Sequence, residues 1–206
     1  MIQTPVLPES LAGDATFAIL SAGQAPGPAV AKRAAELGAE VVAMDRDPTV
    51  LARLISQSTE RVEALALAGD LVARFEPLHR NWGGTPLHMV LNLMPLDPDD
   101  CCKGTDAQIR GLSAMMRALG RGLVAGQGAV VTVLSRPSQP LALAGHAMIG
   151  AFEAANAALD KVFGPRGLHF HLITVPEGQA ELAAESALFL GSEAGRRLRS
   201  GRLDLG

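Results

Sequence analysis

Short unbroken apolar runs alternate with helical stretches along nearly the whole chain, and this alternation constrains the fold more than any other feature. The runs are residues 16–21 (TFAILS), 40–44 (EVVAM), 62–68, 87–93, 129–134 and 168–175, with 202–205 as a short last strand. Between them, 28–37, 48–58, 71–79, 105–123, 141–163 and 181–190 read as helices. A strand with one wet face alternates apolar and polar residues; a continuous apolar run belongs to a strand covered on both faces. Covered strands separated by helices predict a doubly wound parallel sheet of about seven strands in an α/β fold. The expected organisation is a single domain over 1–206, with a polar, proline-containing irregular lead-in at 1–14. At 206 residues such a core needs neither disulfides nor a metal. Cys101 and Cys102 are adjacent and cannot cross-link distant parts of a fold. Free thiols in a reducing compartment and a vicinal redox pair both remain open for them.

Between the first strand and first helix lies Ala22-Gly23-Gln24-Ala25-Pro26-Gly27-Pro28, and the second strand ends at Asp45. A tight glycine turn lets backbone approach a pyrophosphate, with a helix N-terminus aimed at it. Further along come GAVVTVLS at 128–135, then His146 leading through AFEAANAALDKVFGPRGLHFHLITVPEG, and finally ALFLGSEAGRRLRSGRLDLG. In this order and spacing, residues 15–206 resemble the short-chain dehydrogenase/reductase (SDR) family. The resemblance implies a Rossmann-like sheet of order 3-2-1-4-5-6-7 and an NAD site at Gly23, Gly27, Asp45, Asp70 and Asn92. Asp45 stands where an acid favours NAD over NADP, and Asp70 where an acid approaches the adenine. It also implies a homodimer formed by the long helices at 105–123 and 141–163. There Gly150, Ala151, Ala154, Ala155, Ala157 and Ala158 suit either close packing between copies or packing on the sheet.

The catalytic part of the resemblance is missing. The family uses a tyrosine acid/base, a lysine four residues later, a serine and an asparagine. Here the serine position falls on Ser135, the tyrosine position on His146 and the lysine position on Gly150; the chain contains no tyrosine. The helix at 105–123 has no asparagine, and almost nothing intervenes between Gly178 and the helix at 181, where the family carries a substrate lid. Pro28 removes an N–H from the phosphate-facing helix end, and Leu93 and Met94 add bulk where the family is small. Histidine is a competent proton donor near neutrality, so a rebuilt Ser135–His146 pair is chemically conceivable. Asp45 as a mere strand end and Asp70 as a helix cap are the plain alternatives to a cofactor role.

Two functions follow as expectations. The first is a non-catalytic interaction or regulatory module, homo-oligomeric or with a protein partner, with no cofactor or with NAD bound as a sensed nucleotide without chemistry. The second is an NAD-dependent oxidoreductase with Ser135 and His146 as its unconventional site. A net charge of −3 offers no electrostatic reason for nucleic acid or a membrane surface as partner. No apolar run approaches a membrane span, and no leader pattern precedes the domain, so a cytoplasmic protein is expected. His169 and His171 share a strand face without further ligands, and no metal is expected. Thr105 and Gln108 match a capping box, Asp97, Asp99 and Asp100 read as a solvated acidic loop, and Trp82 as a packing anchor or an exposed contact.

Overall fold

Seven strands form one parallel sheet in the order β3-β2-β1-β4-β5-β6-β7. They are β1 (Thr16–Leu20), β2 (Glu40–Asp45), β3 (Val62–Ala66), β4 (Met89–Asn92), β5 (Ala129–Arg136), β6 (His169–Pro176) and β7 (Gly201–Asp204). The computed structural model describes residues 15–58, 60–139 and 141–206; the lead-in expected at 1–14 lies outside these. The doubly wound sheet and its strand order are as the sequence predicts.

The apolar runs are continuous because each face of the sheet has its own core. Successive strand residues point to opposite sides. Phe17, Ile19, Val41, Ala43, Val131 and Ile173 pack beneath α1 (Gly27–Glu36), α2 (Pro48–Ser56) and α7 (Ala183–Gly191). Ala18, Leu20, Met44, Val90, Phe170 and Leu172 face the other way, toward α3 (Glu76–Asn81), α5 (Gly104–Gly126) and α6 (Leu143–Phe163). Fully buried phenylalanines on both faces each contribute about 1.5–3 kcal/mol relative to exposure.

Two local expectations change. The acidic stretch is not a solvated loop: Pro98–Cys101 is a short helix, α4, capped by Asp97, whose carboxylate accepts from the Asp99 N–H at 3.0 Å. Asp97 and Asp100 are both buried. Nor does Thr105 cap α5. Gly104, at φ +83°, turns the chain from α4 into α5 one residue earlier, so Thr105 already lies inside the helix. Gln108 is fully buried with neither amide atom partnered among the described residues. In α6 only Ile149, Phe152 and Asn156 are buried; Gly150, Ala154, Ala157 and Ala158 face outward. Among the described residues no helix is long and apolar enough to cross a membrane.

His171 on β6 is 4 % exposed, and its Nε2 has no partner among the described residues. Burial chiefly, with repulsion from His169 and against attraction from Asp160, pushes its pKa down from 6.5 to about 4. A depressed histidine pKa means the unfolded chain takes up the proton first. Stability is therefore whole above pH 6.5 and falls as the pH drops toward 4. The loss is expected to be on the order of 2 kcal/mol, read as the acid slope of urea-unfolding free energy. A His171→Leu variant should lack that slope; an unchanged slope would refute the assignment.

Candidate functional site

In an open parallel sheet, ligands bind outside the carboxyl ends of the strands where the strand order reverses. Here that point lies between β1 and β4. It is walled by the β1–α1 turn, the ends of β2 and β3, and the segment after β4. The sequence places Gly23, Gly27, Asp45, Asp70 and Asn92 around it, and the structure shows what each of them does.

The β1–α1 turn spends its donors on its own chain. Ala22 N–H donates to the Met44 carbonyl at 3.0 Å, Gln24 N–H to Ser21 at 2.9 Å, and Gly27 N–H to Gln24 at 2.7 Å. Gly23 N–H donates to Asp45 Oδ2 at 2.9 Å, while Pro26 and Pro28 carry no N–H. Both glycines answer to crowding within the chain. A Cβ on Gly27 would stand 2.4 Å from the Ala22 carbonyl oxygen, and one on Gly23 2.4 Å from Val50 Cγ1 of α2. Asp45 is buried, and its second oxygen accepts from Asp47 N–H at 3.0 Å. Its carboxylate fastens the turn to the end of β2.

Asp70 caps the 3-10 turn Ala73–Phe75, accepting from Val72 and Ala73 N–H groups at 2.9 and 2.8 Å. Those two hydrogen bonds hold its carboxyl below the usual carboxylate range. Asn92 is fully buried: its Nδ2 donates to Thr132 Oγ1 at 3.3 Å and its Oδ1 accepts from Met94 N–H at 3.2 Å. Leu93 and Met94 are likewise buried, in the cores on opposite faces of the sheet.

Two arginines then strap the crevice. Arg46, directly after β2, pairs with Asp97 at 3.3 Å and with Asp99, both beyond β4. Since β1 lies between β2 and β4, this link crosses over the end of β1. Arg74 makes a two-pronged pair with Asp100 at 2.7 and 3.0 Å, and its Nε donates to the Asp70 carbonyl at 3.2 Å. Lys103 Nζ adds a contact to Asp100 at 3.0 Å. Asp97 has its pKa raised, by burial first and by repulsion from Asp100, against the pull of Arg46. The space left among Ser21, Asp45, Arg46, Arg74, Phe75 and Met94 is about 10 Å³. Small-molecule pockets run to about 300–1,000 Å³, so this gap between the straps holds no such ligand as it stands.

Ser135 is the last residue but one of β5 and His146 lies in the first turn of α6; both are exposed, and among the described residues no hydrogen bond joins them. The neighbouring polar groups serve the fold: Arg136 donates to the Gly206 carbonyl at 2.7 Å, and Ser138 to Glu177 at 3.1 Å. Among the described residues no group of three or more His, Cys, Asp or Glu is placed to hold a metal ion. The sequence reading missed Arg46 and Arg74. Their signal was faint: Arg46 follows Asp45 directly, and three acids crowd 97–100, but nothing in spacing joins residues about 26 and 51 positions apart.

No protein-family model matches the chain, and no curated protein matches it. Solved structures do. A 3-ketoacyl-(acyl-carrier-protein) reductase from Brucella melitensis, complexed with NADH, aligns with TM-score 0.74 and 21% identity over 95% of this chain and 98% of that one. A gluconate 5-dehydrogenase from Burkholderia cenocepacia, in complex with NADP and tartrate, aligns at 0.73 and 18% over 96% and 95%. An SDR-family oxidoreductase from Burkholderia thailandensis aligns at 0.72 and 20% over 93% and 90%. At these identities the likeness is one of architecture, and this chain is built on the fold of the short-chain dehydrogenases/reductases.

Proposed function

We propose that this chain uses the SDR-type scaffold as an interaction or regulatory module, without dinucleotide redox chemistry. The observation that carries the reading is the pair of arginine straps, Arg46 to Asp97 and Asp99 and Arg74 to Asp100, across the crevice at the strand ends. It agrees with the absent tyrosine and with Ser135 and His146 both exposed and, among the described residues, sharing no hydrogen bond. The outward face of α6, with Gly150, Ala154 and Ala158 exposed, supports self-association of two copies through α5 and α6. A sedimentation profile that stays monomeric at about 100 μM, well above affinities of about 1 μM typical of modest complexes, would remove the self-association part.

The comparisons favour a second reading. Structures of the same architecture are oxidoreductases, and two of them carry NADH or NADP. On that reading the protein is an NAD-dependent oxidoreductase with Gly23, Gly27, Asp45, Asp70 and Asn92 around the cofactor and Ser135 and His146 at the reacting centre. It requires the Arg46 strap to open, because the turn and the strap now occupy the space. Calorimetric titration with NADH separates the two. The module reading expects no saturable heat up to about 1 mM, a binding free energy weaker than about −4 kcal/mol. Saturation below about 100 μM would overturn the module reading, and NADH-dependent turnover of a carbonyl or alcohol, lost in His146→Ala, would establish the oxidoreductase reading.

A further inference from the structure

A concavity of about 590 Å³ lies away from the crevice, toward the opposite ends of β1 and β2. The short α3 ends at Asn81 and does not extend over β2 and β3, so the sheet face beside it stays open. Val42 and Leu65 form its floor and Trp82 stands at its side. Leu65, on the edge strand β3, is 37% exposed. Trp82 is half-buried, its indole N–H held by the Thr85 carbonyl at 3.2 Å. That bond leaves the ring as a fixed wall.

The charge around this apolar floor has one sign. Glu40 and Glu63 line the trough, and no lysine, arginine or histidine does. Arg61, from outside it, reaches Glu40 at 2.5 Å. Glu63 is exposed and has no ion pair among the described residues. A carboxylate beside an indole face and an aliphatic floor suits a positive charge carried on an apolar body. The carboxylate meets the charge, the aromatic quadrupole attracts it, and the floor covers the hydrocarbon. The volume falls within the range of small-molecule pockets.

We infer that this trough is a binding site for a small amphipathic organic cation, an aryl- or alkylammonium whose body rests on Val42, Leu65 and Trp82 and whose charge meets Glu63. Trp82 is the only tryptophan, so its fluorescence reports the site directly. The probes are 2-phenylethylammonium and hexylammonium, with 2-phenylethanol and 3-phenylpropanoate as neutral and anionic counterparts. Both ammonium probes should give a saturable change in Trp82 emission with Kd at or below about 1 mM, in keeping with the affinity open to ligands of this size. The counterparts should bind at least about tenfold more weakly, and Glu63→Gln should weaken the cations about tenfold. Glu63 is exposed, so this variant should keep the parent's unfolding midpoint. Equal binding of 2-phenylethanol, an unaffected Glu63→Gln, or no saturation overturns the proposal. So does an emission shift that follows protein concentration and ignores the amines, which would assign the trough to a second copy of the chain.

Discussion

Replacing Arg74 with alanine is expected to cost about 3–5 kcal/mol of stability, because it leaves Asp100 charged in the interior without its two-pronged partner. Asp100 is fully buried and Arg74 is 3% exposed. The guanidinium meets both carboxylate oxygens at 2.7 and 3.0 Å and also ties down the Asp70 and Gly69 carbonyls. Lys103 remains at 3.0 Å, on a partly exposed side chain, and can offset only part of the loss. For a chain of this size the change corresponds to a fall in Tm of about 10 °C. Urea unfolding of the variant gives the measurement. The double variant Arg74→Met, Asp100→Leu provides the control, since exchanging both charges for apolar groups is often neutral or stabilising. Recovery in the double variant identifies a buried pair. A loss under 1 kcal/mol in Arg74→Ala would mean that water reaches Asp100 and that the strap does not hold the crevice shut.

The sheet was legible in the sequence because its cause is local. A residue such as Val41 or Ala43 is apolar for the helix on its own side, and Val42 or Met44 for the helix on the other, so the strand shows as one run. Element ends were less legible. Gly104 begins α5 through a left-handed backbone angle, which no capping pattern at Thr105 and Gln108 could reveal. The crevice was legible only in its negatives. Pro28, Leu93 and Met94 marked it as altered, and the structure places Leu93 and Met94 in the cores on the two faces of the sheet. What fills it depends on pairing between distant charges. Arg46 meets Asp97 and Arg74 meets Asp100 because the strand order brings their loops together, and a charge in a sequence carries no record of its partner. Asp70 shows the same limit in reverse. The residue suits either an adenine site or a cap, and only the fold shows the two N–H groups that it accepts.

Gly27→Ala is the second change expected to be severe, and it separates two explanations for the glycine turn. If Gly27 exists to let a pyrophosphate approach, a methyl group there should spoil ligand binding and leave the fold much as it was. The surroundings say otherwise. The added Cβ would lie 2.4 Å from the Ala22 carbonyl oxygen, 2.9 Å from its carbon and 3.1 Å from its Cα, all backbone atoms. A side chain could rotate away; a backbone held on both sides cannot. Ala22 N–H is bonded to Met44, and Gly23 N–H to Asp45, so the turn cannot recede without releasing β2. Overpacking of this kind costs about 1–3 kcal/mol and occasionally more. With two turn hydrogen bonds at stake, at about 1 kcal/mol each, a loss of about 3–4 kcal/mol is expected. Chemical denaturation should show it without any nucleotide present. Amide exchange should show Ala22 and Gly23 losing protection before the strands do. A Gly27→Ala protein as stable as the parent would mean that the turn has room to yield. The glycine would then be better explained by a ligand than by the chain's own backbone.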